Sequence, residues 1–161
     1  MNTTISETLQ EFLNELGEQS GARFALEDNG KAQIRYNEEM DIITEVHQEL
    51  GLIFLHTPVR SLRGVEDRSA AFQQAMETAL FGLGTGGCVL GYDRDDDELV
   101  LSVSRPADKL DAQDFCNLFG RFAEIAVKLR EAIDQPDEHY HFPKTSNGSG
   151  AGANTGYFMR V

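Results

Sequence analysis

Apolar residues recur every three or four positions at the start of this chain, every second position through its next third, and at helical spacing again twice later. Ile5, Leu9, Phe12, Leu13 and Leu16 share one helical face, behind a Thr4/Glu7 pair at capping-box spacing and ahead of Gly17 as a stop. Ala22 to Leu26 reads as a short extended lead-in, closed by the turn signal Asp28-Asn29-Gly30. Ala32, Ile34 and Tyr36 then alternate with Lys31, Gln33 and Arg35, as a strand with one buried face requires. After a turn at Asn37-Glu38-Glu39, the β-branched run Asp41 to Val46 and the more continuously apolar run Leu50 to Thr57 predict two further strands, with Pro58 as terminator. Short connections make these three an antiparallel meander.

Asp67 caps a second predicted helix that runs to about Leu83 on a stripe of Phe72, Met76, Ala79, Leu80 and Leu83. Gly82, Gly84, Gly86 and Gly87 stop it. Cys88 to Tyr92 and Leu99 to Ser104 read as a hairpin around the acidic turn 93–98. Asp111 caps the third helix, whose Phe115, Leu118, Phe119, Phe122, Ala126, Leu129 and Ile133 form a broad apolar face, ended by Pro136. Past Pro143 the chain turns to Ser, Asn, Gly, Ala and Thr, a flexible composition, before finishing in Tyr157-Phe158-Met159. The order helix, three strands, helix, two strands, helix predicts an α+β fold, a two-layer sandwich on a mostly antiparallel sheet. The domain is expected over residues 1–136 and a Gly/Ser-rich tail over 137–161.

The 161 residues suffice for one domain with a real core, and 40% hydrophobic content places the chain among globular proteins. A net charge of −13 without any basic stripe argues against a nucleic-acid partner. It also keeps soluble a protein that exposes an apolar groove. Residues 1–16 read as a polar-faced helix and not as a signal peptide, and no apolar run is long enough to span a bilayer. The expected setting is the cytoplasm, without membrane insertion. Cys88 and Cys116 are expected to be buried free thiols there.

No motif carries catalysis. Gly82-Leu83-Gly84-Thr85-Gly86-Gly87 has the spacing of a dinucleotide loop, but such a loop follows a strand and opens a helix, and here the order is reversed. Asp93, Asp95 and Asp97 alternate as calcium-loop ligands do, yet Glu98 stands where the turn glycine belongs and Ser104 where the closing glutamate belongs. His139 and His141 flank Tyr140 beside Asp137 and Glu138 without a third strong ligand nearby. Neither cysteine sits in a nucleophile motif. The expectation is a protein that binds and does not catalyse, with no metal and no cofactor.

The stretch Ala79-Leu80-Phe81-Gly82-Leu83-Gly84-Thr85-Gly86-Gly87-Cys88-Val89-Leu90-Gly91-Tyr92-Asp93 resembles the helix-to-strand segment of the class I chaperones of bacterial type III secretion, the Tir chaperone-like family. The acidic turn followed by Glu98-Leu99-Val100-Leu101 and Arg105-Pro106 continues the likeness, as do the first helical stripe and Leu52-Ile53-Phe54-Leu55-His56-Thr57-Pro58. It spans about residues 3–135. The resemblance implies a homodimer built around the second helix and the following strand pair, with Phe72, Met76, Val89, Leu90, Leu99 and Leu101 at the contact or in the core just behind it. It also implies a partner, the largely extended N-terminal region of a secreted effector, held in apolar grooves on the first helix and first three strands. Leu9, Phe12, Leu13, Ile34, Tyr36, Ile42, Thr44 and Phe54 are the candidates for that site. One effector segment would add to a sheet edge, where backbone hydrogen bonds tolerate varied sequence. The alternative is a regulatory or adaptor protein that uses the same fold outside secretion to bind a protein partner. The tail exceeds the family pattern, and Tyr140 to Phe142 or Tyr157 to Met159 could dock on an apolar groove.

Overall fold

The computed structural model describes residues 4–37 and 40–133. The turn expected at Asn37-Glu38-Glu39 is thus only partly described. Pro136, the histidines at 139 and 141, both aromatic tail segments and the whole expected tail lie outside the described residues. The elements follow the predicted order: α1 (Ile5–Ser20), β1 (Lys31–Tyr36), β2 (Met40–His47), β3 (Leu52–Ser61), α2 (Arg68–Ala79), β4 (Val89–Asp93), β5 (Glu98–Pro106) and α3 (Ala112–Ile133).

The capping box at the start of α1 forms as the spacing requires. Thr4 Oγ1 accepts from the Glu7 amide at 3.2 Å, and Glu7 Oε2 accepts from the Thr4 amide at 2.7 Å. The far end differs from expectation. α1 runs through Gly17 to Ser20, and the left-handed cap is Gly21, at φ 71°. Gly17 is instead an interior residue at a close backbone approach, where an added Cβ would lie 2.6 Å from the Ala22 carbonyl oxygen.

The five strands form one sheet in the order β1-β2-β3-β5-β4, and every neighbouring pair is antiparallel. Pro58 does not end β3, which continues to Ser61. A proline is tolerated there because the pairing with β2 stops at His56, so no partner on that side needs the missing N–H. The Thr57 hydroxyl donates to the Asp41 carbonyl at 2.7 Å instead, and the ladder to β5 shifts register between Pro58 and Arg60.

Strand alternation sorts the sheet into two faces. Ala32, Ile34, Met40, Ile42, Thr44, Ile53, Leu55, Thr57, Leu99, Leu101 and Val103 are all buried, under the layer made by α1 and α3. The helices meet through Phe12 and Phe115, whose rings stack at 5.5 Å, and Phe115 and Phe122 are among the largest fully buried side chains. Thr44 lies wholly inside this layer, and its hydroxyl has no hydrogen-bond partner among the described residues. Such an orphan costs about 1–3 kcal/mol. Among the described residues the opposite face carries no helix.

Candidate partner-binding surfaces

Helix α2 is amphipathic the wrong way round for a core helix. It buries its small residues, Ala71, Ala75 and Thr78, and turns the large ones outward. Met76 is 75% exposed, Leu80 55%, Phe81 87%, Leu83 65% and, across the loop on edge strand β4, Val89 65%. Among the described residues, six of the seven large apolar side chains so exposed fall between Met76 and Tyr92, and Leu50 alone lies elsewhere. Scattered surface leucines need no explanation, but a run of this kind marks a contact surface. The helix ends at Ala79 and not near Leu83, so Leu80 and Leu83 of the predicted stripe lie past it; Met76, Leu80 and Leu83 face solvent, whereas Phe72 is half-buried against the core.

The loop that presents the patch is fixed by the glycines. After α2 comes a single 3₁₀ turn, Leu80–Gly82, in which Phe81 adopts φ 57°. A left-handed backbone is costly for an aromatic residue. Gly84 packs so closely that a Cβ would clash with the Thr78 carbonyl oxygen, and one on Gly86 would meet Ile125 Cδ1 at 2.6 Å. The buried Thr85 hydroxyl donates to the Cys88 carbonyl at 2.6 Å. The helix comes before this loop and strand β4 after it, so the helix N-terminus that a dinucleotide needs is missing from its far side.

A second constellation braces α2 against the hairpin. Arg68 donates to both oxygens of Asp97, at 2.9 and 2.7 Å, and to the Tyr92 hydroxyl at 3.1 Å, while Tyr92 donates to Asp97 at 2.9 Å. The Arg68 guanidinium also lies 5.8 Å from the Phe72 ring centre, and Phe72 meets Tyr92 edge-on at 5.0 Å. Asp93 caps the same turn by accepting from the Asp95 amide. These aspartates therefore serve the hairpin. Hydrogen bonds from Arg68, then Tyr92, hold the Asp97 carboxyl below its usual 3.8. A carboxyl so depressed in the folded state adds stability above its unfolded value and loses it as pH falls through the folded one. Asp97→Asn should therefore lower the melting temperature at pH 7, with the gap to wild type closing below about pH 3.8 in melts from pH 3 to 7.

The residues expected to contact an effector are divided by the fold. Leu9, Leu13, Ile42 and Thr44 are fully buried, and Phe12 and Ile34 nearly so, all inside the helix-covered layer. Tyr36 and Phe54 reach the surface on opposite faces: Tyr36 at the helical side, edge-on to Phe119, and Phe54 on the bare side, beside His47. The alternation explains this. Along β2 the even positions point to the helices, so Ile43, which the pattern reading passed over, is the isoleucine on the bare face. Among the expected dimer residues, Met76 and Val89 are exposed and Phe72 and Leu90 half-buried. Leu99 and Leu101 form the core behind them.

The bare sheet face is apolar at its centre and charged at its margin. Ile43, Phe54, His56, Val100 and Ser102 are half-buried there, with no helix above them among the described residues. Towards β1, Lys31 pairs with Glu45 at 3.0 Å, His56 approaches the same carboxylate at 3.6 Å, and Arg35 grips Asp41. Partial burial pushes the Glu45 carboxyl up, but Lys31 and His56 outweigh it and hold it below the usual range. The two thiols are inert by comparison: burial pushes Cys88 up to about 11 and raises Cys116 as well.

Leu80, Phe81 and Leu83 are the surface residues that periodicity assigned least well. Phe81 is set between residues of a helical stripe and a glycine run, and that juxtaposition of an aromatic with chain-reversing glycines was its only signal.

The fold can be placed among known ones. The model of the Tir chaperone protein (CesT) family matches residues 11–130. No curated protein matches the chain in sequence. Among solved structures, the chain is similar to one in the crystal structure of the ExsC-ExsE complex, at TM-score 0.70 and 14% identity over 81% of this chain and 97% of that one. It is similar to one in the HopA1-SchA chaperone-effector complex, at 0.60 and 12% over 80% and 94%. A third likeness is to the Yersinia pestis type III secretion chaperone SycH in complex with a fragment of YscM2, at 0.55 and 14% over 74% and 98%. At such identities the likenesses are of fold, and they match the α+β sandwich expected from the sequence.

Proposed function

The chain belongs to the Tir chaperone protein (CesT) family, and from that premise we propose that it is a chaperone which binds the N-terminal region of a type III secreted effector. It keeps that segment soluble and competent for export from the cytoplasm. Its action is physical: it covers apolar effector surface that would otherwise aggregate, and it makes or breaks no covalent bond. The chaperone unit spans residues 1–136, with 137–161 as an appended tail.

The observation that carries this reading is the outward display of large apolar side chains by α2, the 3₁₀ turn and β4, on a fold of this family. A lone protomer would gain nothing by exposing them. They serve a homodimer, centred on Met76, Val89 and Phe72 with Leu90, Leu99 and Leu101 behind. The effector lies on the α1 and sheet surfaces, where Tyr36 and Phe54 are open to it as the chain stands. Leu9, Phe12, Leu13, Ile34, Ile42 and Thr44 shape the walls from within. Ordering an unfolded effector segment costs conformational entropy, so a large contact area still yields a releasable complex.

The test is a pull-down with the tagged protein from its native bacterium under secretion-inducing conditions, with the captured complex sized by light scattering. A complex of two copies with one secreted protein, bound through an N-terminal segment that proteases cleave when free, is the expected result. A clean dimer that captures no secreted protein overturns the reading.

A further inference from the structure

Between α1 and β1 the chain crosses back along its own first helix. Residues 22–27 belong to no helix, turn or strand, yet Phe24 and Leu26 are half-buried and pack on the core while their neighbours Arg23, Ala25 and Glu27 are exposed. The Ala22 and Glu27 amides donate to the Gly17 and Lys31 carbonyls at 3.0 and 2.8 Å, and between them a side chain holds the backbone. Gln10 Oε1 accepts from the Leu26 amide at 2.8 Å, and Gln10 Nε2 donates to the Phe24 carbonyl at 3.1 Å. The carbonyl before Ala25 and the N–H after it are the two groups that one residue of a parallel strand engages on its neighbour. The primary amide of Gln10 thus stands in for a peptide group.

Seven positions on, two turns along the same helix face, stands Gly17. A Cβ there would lie 2.6 Å from the Ala22 carbonyl oxygen and 3.8 Å from Arg23 Cα, so the crossing backbone lies directly on the helix. Gly costs an α-helix about 1 kcal/mol relative to Ala in its interior. Ala22 donates its N–H to the Gly17 carbonyl at 3.0 Å and the Gly21 cap donates to the same carbonyl, so the backbone filling this gap is the turn that ends α1. One flank of α1 therefore carries a peptide-like pair of hydrogen-bonding groups, two turns away from the turn that ends the helix.

We propose that the flank of α1 around Gln10 is a docking track for an extended peptide with apolar residues two apart, and that residues 23–27 fill it in the free chain as an internal strap which a partner's segment displaces. The identity of the displacing partner rests on the chaperone reading; the track itself does not. A tethered strap competes at an effective concentration in the millimolar range, so a free peptide at micromolar concentration should fail to enter the wild-type track.

The probe is a fluorescein-labelled peptide of residues 20–28, followed by anisotropy. It should bind F24S/L26S, in which the strap has lost its apolar anchors, at least tenfold more tightly than the wild type, and adding Gln10→Ala should remove that gain. Equal binding to wild type and F24S/L26S, or a gain that survives Gln10→Ala, overturns the proposal. Should circular dichroism find F24S/L26S unfolded, hydrogen exchange on the intact wild type decides. The Leu26 amide should exchange at least 100-fold faster than that of Leu55 on the central strand, because a displaceable strap opens locally. Equal protection overturns the strap. A chain that captures a secreted protein while failing these tests loses the track and keeps its proposed function.

Discussion

M76E/V89E is expected to sediment as a single species of about 17.9 kDa, the mass of one chain, and the wild type, at the same micromolar concentration, as the proposed dimer. Both side chains are largely exposed on the protomer, so the substitutions should leave its fold and far-ultraviolet spectrum unchanged. In the dimer they would sit near the centre of the contact. An uncompensated charge buried there costs several kcal/mol, and two, each repeated by symmetry, raise the dissociation constant by roughly 100-fold or more. The chain's net charge of −13 deepens the effect, since two further acidic groups are added to protomers that already repel. A double variant that remains dimeric would move the interface away from α2 and β4, and the bare sheet face around Ile43, Phe54 and Val100 would be the next surface to charge. Capture of the effector should weaken along with dimerisation if the effector spans both protomers.

The element order was legible because each segment has a clean period. α1 and α3 read as helices from stripes of Leu and Phe, and β1 from a strict alternation of Ala32, Ile34 and Tyr36 against Lys31, Gln33 and Arg35. Boundaries were less so, and for local reasons. Gly17 looks like a stop signal, yet it is set by a backbone crossing that only the folded chain reveals. Pro58 looks like a terminator, but its strand has a partner on one side only at that point.

The surface was harder to read than the fold, since period alone does not say which way a stripe faces. In α2 and the turn after it the residues a helical stripe would bury, Met76, Leu80 and Leu83, are the exposed ones, while Ala71 and Ala75 fill the narrow space beneath the helix. In β2 the choice between Ile42 and Ile43 depends on which face the helices cover, and the run of β-branched and acidic residues from Asp41 to Val46 leaves that parity open. Leu9, Phe12 and Leu13 share this ambiguity with every amphipathic helix: an apolar residue that could line a groove is the same residue that packs a core. The Gln10 and Gly17 pair left no mark in the hydrophobic pattern, because it handles backbone and not side chains.

The joint between the two helices is where stability and partner binding should fail together. Phe115 is fully buried, its ring stacked on Phe12 at 5.5 Å with 27° between the planes. Phe115→Ala removes the ring and leaves a cavity that α1 cannot close without tilting on α3 and losing its seat above β2. Truncations of this kind cost about 3–5 kcal/mol, against a total of about 5–15 kcal/mol for a typical domain. The melting temperature should fall by roughly 10 °C. Phe54→Ala, on the bare face and half-exposed, removes the same ring without opening the core and should cost less than about 1 kcal/mol. Thermal melts of the two variants side by side separate the roles, and effector capture separates them again. Phe54→Ala should bind less tightly at unchanged stability, whereas Phe115→Ala should bind normally well below its melting point and lose capture only as α1 comes away. Similar melting temperatures for both would mean that the helix layer is held by something other than this stack.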